Sequence, residues 1–230
     1  MNAMNLIATN LYHTMSKALF VIFFITLTGC AGPSPGVRPA VYDFGPLSPT
    51  AAPRPAQPAN QPPLLISEIE AAPALDSTAV LYRLAYADPQ QLKAYALARW
   101  SMTPAQLLRQ RLRERLAEHR TVLNPGDAGT VSPAPAPTPA QNRQAPATLR
   151  LELEEFSQLF ETPAQSVGLL RLRATLVQTG PGGEKWLAQR SFRVQRPAAS
   201  ADAGGGVRAL TAATETALQE IDDWLLGLAP

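Results

Sequence analysis

Cysteine and histidine are almost absent from this 230-residue chain: one cysteine, Cys30, and two histidines, His13 and His119. A single cysteine excludes a disulfide framework, and with so few imidazoles no zinc site of ordinary Cys/His composition can be assembled. An excess of one charge sign is also lacking. All 18 acidic residues lie after residue 29 with 19 of the 20 basic ones, the exception being Lys17, which leaves a net of +1 there. That balance argues against a nucleic-acid binder working through bulk electrostatics. After Cys30 a Ser-His-Asp arrangement would have to use His119, which falls in the last turn of a predicted helix, where a histidine favourably faces the carbonyl end. Gly180-Pro181-Gly182-Gly183-Glu184-Lys185-Trp186 does not match GxxxxGK[ST], and Gly204-Gly205-Gly206 does not match GxGxxG. The glycines read more simply as a hairpin turn and as a flexible lead into the last helix. Nothing points to a catalytic set, a bound metal or a cofactor, and the chain reads as a non-enzyme.

Long apolar runs are missing too. The longest, Ala18 to Leu27, has ten residues, against ~20 for a spanning helix. With Lys17 before it and Thr28-Gly29-Cys30 after it, the run reads as the apolar region of a signal peptide covering residues 1–29. Leu27-Thr28-Gly29-Cys30 resembles a bacterial lipobox, in which the cysteine thiol takes a diacylglyceryl group, the chain is cut before it, and the new amino terminus is acylated, for example with palmitate. Met15 is an alternative start, but either start gives a mature protein beginning at Cys30. Two or three acyl chains, at ~0.8 kcal/mol per buried methylene, anchor a protein almost permanently. Ala31 stands where an aspartate is associated with inner-membrane retention, so the expected location is the periplasmic face of a Gram-negative outer membrane.

Proline, by contrast, is abundant: 23 residues, roughly double the usual ~5%. Residues 30–40 read as a tether that holds a domain up to roughly 30 Å from the bilayer. Residues 48–63 read as a proline-rich linker and residues 124–146, containing PAPAPTPA, as an insertion in a surface loop. The folded part spans residues 41–228. Val41 to Leu47 suggests a first strand. Leu64–Ala71 and Ala79–Tyr86 suggest two more, with a turn-length gap that suits a hairpin, and Lys93–Trp100 a further short one. Thr103-Pro104-Ala105-Gln106 is in capping-box order, so a helix starts there and ends near Arg120. After the insertion, Leu149, Leu151 and Leu153 alternate with charged residues until the phase slips at Glu155-Phe156, the mark of a bulge. Leu170, Leu172, Ala174 and Leu176 alternate in the next strand, joined through Gly180–Gly183 to one in which Trp186, Ala188, Phe192 and Val194 share a face. Glu152, Glu154 and Glu155 are expected to pair with arginines across the sheet. A final helix follows the triple glycine, with Val207, Leu210, Ala217, Leu218, Ile221, Trp224, Leu225 and Leu228 as its buried stripe. The fold class is therefore α+β: a mostly antiparallel sheet with two helices packed on one face.

Arg99-Trp100 followed by Pro104 resembles an RWxxxP signature, Leu151 to Phe160 (LELEEFSQLF) an LxxEFxQxF-like strand, and Tyr42-Asp43-Phe44-Gly45 a YDLG-type motif; Leu81-Tyr82-Arg83-Leu84 also fits. In this order, with the lipobox, they resemble the PqiC-like family of ABC-type transport auxiliary lipoproteins. The proline-rich insertion at 124–146 departs from that pattern. The resemblance implies a non-catalytic docking or receiving component for an MCE-family protein and ABC transporter components that move lipid or another apolar substrate, and it carries over no catalytic residues. The candidate partner surface is Arg109, Arg113 and Trp100, although Trp100 is favoured more as a core anchor. A homo-oligomer is compatible with this reading. The alternative is a stand-alone periplasmic lipid or ligand carrier, which would need an apolar cavity of roughly 300–1,000 Å³. Cys30→Ser is expected to leave an unlipidated precursor; incorporation of a radioactive fatty acid that is unchanged in the variant would reject lipidation at Cys30.

Overall fold

The computed structural model describes residues 37–46, 61–126 and 145–228. The signal peptide, Cys30, most of the tether, most of the first proline-rich linker and the core of the insertion lie outside the described residues.

Eight strands form one mixed open sheet: β1 (Ala40–Tyr42), β2 (Gln61–Ala71), β3 (Ala79–Leu84), β4 (Asp88–Trp100), β5 (Arg120–Leu123), β6 (Ala147–Phe160), β7 (Ser166–Gly180) and β8 (Gly183–Pro197). Two helices, α1 (Pro104–Leu116) and α2 (Ala203–Leu228), cover one face. The α+β class with a mostly antiparallel sheet is thus what the chain adopts. The long ladders β6–β7 and β7–β8 are antiparallel, as is β3–β4, while four shorter pairings are parallel.

On one edge of β6 lies the whole of β7. On its other edge β2 pairs the first half, Leu64 opposite Ala147 to Ala71 opposite Leu153, and β3 pairs the second half, Tyr82 opposite Gln158 to Leu84 opposite Phe160. Both run parallel to β6, so the hairpin expected between them does not form. Pro73–Leu75 is instead a short 3-10 turn whose Leu75 is buried, and the Ala72 N–H donates to the Leu153 carbonyl at 3.1 Å. The chain steps forward and resumes pairing with the same neighbour. The tight turn comes later, where the Ala87 N–H donates to the Leu84 carbonyl and β4 folds back on β3. β4 is longer than the stretch from Lys93 because the turn feeds directly into it at Asp88.

Thr103 caps α1 reciprocally with Gln106, each backbone N–H meeting the other's side chain. The helix stops at Leu116 rather than near Arg120, and Arg120–Leu123 forms β5 beside β2. Four residues are too short to show a period in sequence. In β6 the register to β7 shifts between Leu153 and Glu155, leaving Glu154 as the extra residue and keeping Leu153 and Phe156 on the helix-covered face. A second shift, between the pairs Leu176–Ala188 and Val177–Trp186, makes Leu187 the extra residue in β8. This bulge puts Trp186 on the opposite face from Phe192, so the shared face expected for them is corrected; Trp186 is 63% exposed.

The triple glycine is the first turn of α2 and not a flexible lead. Asp202 accepts the Gly205 N–H at 2.7 Å, and this bond chiefly holds its carboxyl below the usual range. A Cβ on Gly206 would sit 2.1 Å from Gln158 Oε1, and one on Gly168 of β7 2.5 Å from the backbone of Ala209 and Leu210. Helix and sheet approach this closely because both positions lack side chains. Of the expected stripe, Val207, Leu210, Ala217, Leu218, Ile221 and Leu225 are buried, Trp224 meets the Phe192 ring edge-on at 6.0 Å, and Leu228 is exposed. Gly168→Ala is expected to cost about 1–3 kcal/mol or more through overpacking against backbone, read as a lowered urea midpoint. Gly180→Ala, with nothing near its Cβ position, serves as the control.

Candidate functional site

Three segments separated in sequence meet at the junction of β1, β4, β6 and α1. Phe44, just past β1, has its ring centroid 5.6 Å from that of Trp100 and 6.2 Å from that of Phe156, and the Trp100–Phe156 distance is 5.6 Å. All three are buried, Trp100 at 1% exposure. The Ser101 N–H donates to the Tyr42 carbonyl at 2.7 Å, and the Gly45 N–H to Asp43 Oδ1 at 2.8 Å. Gly45 takes φ +70°, a left-handed turn that glycine adopts without steric cost.

Arg111 of α1 closes this junction. Its Nη2 donates to the carbonyls of Phe44 at 3.0 Å and Gly45 at 2.6 Å, and its Nε lies 3.3 Å from Glu215 of α2. At 6% exposure it is a buried charge supplied with both an ion-pair partner and acceptors, the condition under which a buried guanidinium is tolerated. One side chain thereby links the first strand and both helices.

A second buried polar group, Gln158, lies two residues beyond Phe156. Its Oε1 accepts from the Tyr95 hydroxyl at 2.8 Å and its Nε2 donates to Ser166 Oγ at 2.7 Å. Burial first, then the neighbouring Tyr82 and Asp202, pushes the Tyr95 phenol up to about 12, so it remains a donor at neutral pH. Tyr82 packs on Tyr95 at 4.5 Å.

The arginines of α1 are tied to neighbours. Arg109 pairs with Glu68 of β2 at 2.6 Å, Arg113 donates to Asn124, and Arg115 pairs with Glu215 at 3.1 Å. Arg120 is not on the helix but opens β5, buried near Asp222 of α2. His119 Nε2 is 3.6 Å from Asp222 Oδ2. Burial pushes the Asp222 carboxyl up, an effect countered by His119, Arg120 and Arg115. Two open grooves flank α1. One, about 530 Å³, is lined by Glu68, Gln106, Arg109, Gln110, Arg113, Glu114 and Asn124. The other, about 260 Å³, has Asp43, Ser101, Met102, Gln110 and Arg111 among its lining. Among the described residues no group of three or more His, Cys, Asp or Glu is placed to hold a metal ion.

On the uncovered face the acidic residues of β6 pair with arginines as expected: Glu152 with Arg173 at 3.2 Å, Glu154 with Arg171 at 2.7 Å and with Arg173, and Glu155 with Arg83 at 3.2 Å. The Arg171 hydrogen bond is the main reason the Glu154 carboxyl is held below its ordinary value.

Of the residues singled out from sequence, Cys30 lies outside the described residues, Trp100 is in the core, and Arg109 and Arg113 line the larger groove. Arg111 as a clamp and Gln158 as a buried link escaped that reading. Arg111 sits three and four residues after Leu108 and Leu107, in the buried stripe of α1, and Gln158 alternates with Phe156 and Phe160 on the covered face of β6. A polar residue in a buried register was the available signal.

The profile of the ABC-type transport auxiliary lipoprotein component matches residues 42–222. No curated protein matches the sequence. Among solved structures, protein XCC0632 from Xanthomonas campestris superposes with a TM-score of 0.62 at 19% identity, covering 82% of this chain and 96% of that one. An uncharacterized protein superposes at 0.52 and 14% identity, covering 84% and 99%. These two likenesses concern the fold. With the motif segments gathered at one junction and the family profile running from Tyr42 to Asp222, the chain belongs to the ABC-type transport auxiliary lipoproteins.

Proposed function

We propose that this lipoprotein is a non-catalytic docking or receiving component, held by lipids on Cys30 at the periplasmic face of the outer membrane, for an MCE-family protein and its ABC transporter moving lipid or another apolar substrate. The observation that carries the reading is the burial of the motif residues. Phe44, Trp100 and Phe156 fill the core, and Arg111 and Gln158 bond within it. These residues build a rigid scaffold, and the scaffold then offers surface rather than chemistry.

The packing of the sheet against the helices favours docking over the carrier alternative. Leu108, Leu112 and Leu116 of α1, Leu149 and Leu151 of β6 and Leu210 of α2 are at most 2% exposed. Of the two described grooves beside α1, the larger is lined by charged and amide groups, while the smaller mixes Asp43, Arg111 and Glu114 with Phe44, Met102 and Leu107; a lipid site is mostly apolar. No helix among the described residues is long and apolar enough to cross a membrane, so on this reading attachment rests on the acylated Cys30.

Crosslinking in cells followed by mass spectrometry is expected to recover an envelope transport component, and a deletion strain to show disturbed outer-membrane lipid asymmetry. Capture of no such component, together with ester or glycan hydrolysis by the purified protein that His119→Ala abolishes, would replace this reading with an enzymatic one.

A further inference from the structure

β8 ends one side of the sheet, pairing with β7 alone among the described residues, while β1 and β5 end the two branches on the other side of β6. The chain enters the folded part through Ala40 of β1, so the segment leading from the anchor joins an edge opposite β8. Only Phe192 and Val194 of the fifteen residues of β8 are buried, beneath α2. The outer backbone groups of this strand form an open template for a further strand. The bulge at Leu187 and Pro197 confine the regular part to Ala188–Arg196.

The charge along this edge differs from that around β6 and β7, though Lys93 and Arg99 of β4 also have no carboxylate partner among the described residues. Arg83, Arg150, Arg171 and Arg173 each pair with a glutamate. Lys185, Arg190, Arg193 and Arg196 of β8 have no carboxylate partner among the described residues: Arg190 lies over the Phe192 ring and Arg196 bonds to Thr216 and the Gln195 carbonyl. The one acidic residue of the strand, Glu184, is already held by Arg150. Arg193 stands directly opposite Arg171 in register, a like-charge neighbour on its only paired side. Arg171 has Glu154 as its counter-ion; an acidic residue across the empty side would give Arg193 one too, since opposite charges facing one another across strands are stabilising and like charges are not. Two copies of β8 meeting edge to edge would each bring four cations and one already paired anion, so self-pairing is opposed by the same charges. Trp186, 63% exposed on the uncovered face, adds an aromatic surface of the kind that anchors interfaces.

We propose that the free edge of β8, Ala188–Arg196, takes an extended acidic segment of a partner protein as an added strand, with Trp186 packing against it. This rests on the docking reading and names the surface by which docking occurs.

The test uses the full mature chain with two synthetic peptides, one alternating glutamate with valine and one alternating lysine with valine. The glutamate peptide is expected to bind, to weaken with added salt, and to slow amide hydrogen exchange within Ala188–Arg196; the lysine peptide is expected not to bind. Arg190→Glu with Arg193→Glu, both exposed, should lower affinity for the glutamate peptide by roughly tenfold or more. Equal binding of the two peptides, or protection confined to other strands, overturns the proposal. In cells, photocrosslinkers at Gln189 and Ser191 are compared with one at Gln110 on the α1 flank. Capture from β8 of a transport component, mapped to an acidic extended segment, supports the proposal. Capture of that component only from Gln110 overturns it while leaving the docking reading in place, and capture from neither position overturns it as well, the docking reading then being decided by the crosslinking and hydrolysis measurements given for it above.

Discussion

Pairing along both edges of β6 is the constraint on which the rest of this structure depends. Its fourteen residues have β7 along one side and the successive strands β2 and β3 along the other. Most backbone groups of a strand so placed have a ladder partner, the gap on the second edge falling at 154–157 between β2 and β3, and the face turned to the helices can be dry. Leu149, Leu151, Leu153 and Phe156 are accordingly almost wholly buried, each contributing roughly 1.5–3 kcal/mol relative to exposure. The bulge at Glu154 is part of that arrangement. It restores the apolar phase after the step between β2 and β3, and it brings one carboxylate within reach of both Arg171 and Arg173.

Closure at the other side of the sheet depends on Arg111. A strand of three residues such as β1 has too few ladder bonds to hold itself in place, and the Phe44–Trp100–Phe156 cluster requires that it stay. The guanidinium bonds to the two carbonyls after β1 while Glu215 holds it from α2. Removing a single partner from such a buried set is costly because the others are left unsatisfied. Polar residues inside this core therefore specify where elements join, and apolar residues supply the burial.

Charge is sorted in the same way. Around β6 and β7, acidic and basic residues stand opposite one another on the uncovered face; along β8 the cations have no carboxylate partner among the described residues. Unpaired lysines and arginines on an edge deter indiscriminate strand pairing, and the same field admits a strand of opposite charge.

Much of the architecture was legible in the sequence wherever the signal is local. The capping box at Thr103 and Gln106, the glycine turn between β7 and β8, the alternating leucines of β6 and β7, and the phase slip near Glu155 each depend on residues a few positions apart. What required the tertiary structure was pairing at long range. The gap from Ala72 to Thr78 suits a hairpin by length, and only the second edge of β6 decides that the chain continues forward. Arg120–Leu123 is too short to signal a strand until β2 lies beside it. The triple glycine looks flexible until Gln158 is seen pressing against Gly206, and Arg111 looks like one more surface arginine until Phe44 and Glu215 arrive at its guanidinium. The resemblance of the motif segments to the family was visible in their order; that they converge on one buried junction depends on contacts between residues as distant as Phe44, Trp100 and Phe156. Local propensity and period are properties of a short stretch of chain, whereas pairing register, close approach and the satisfaction of buried polar groups belong to neighbours that the stretch does not contain.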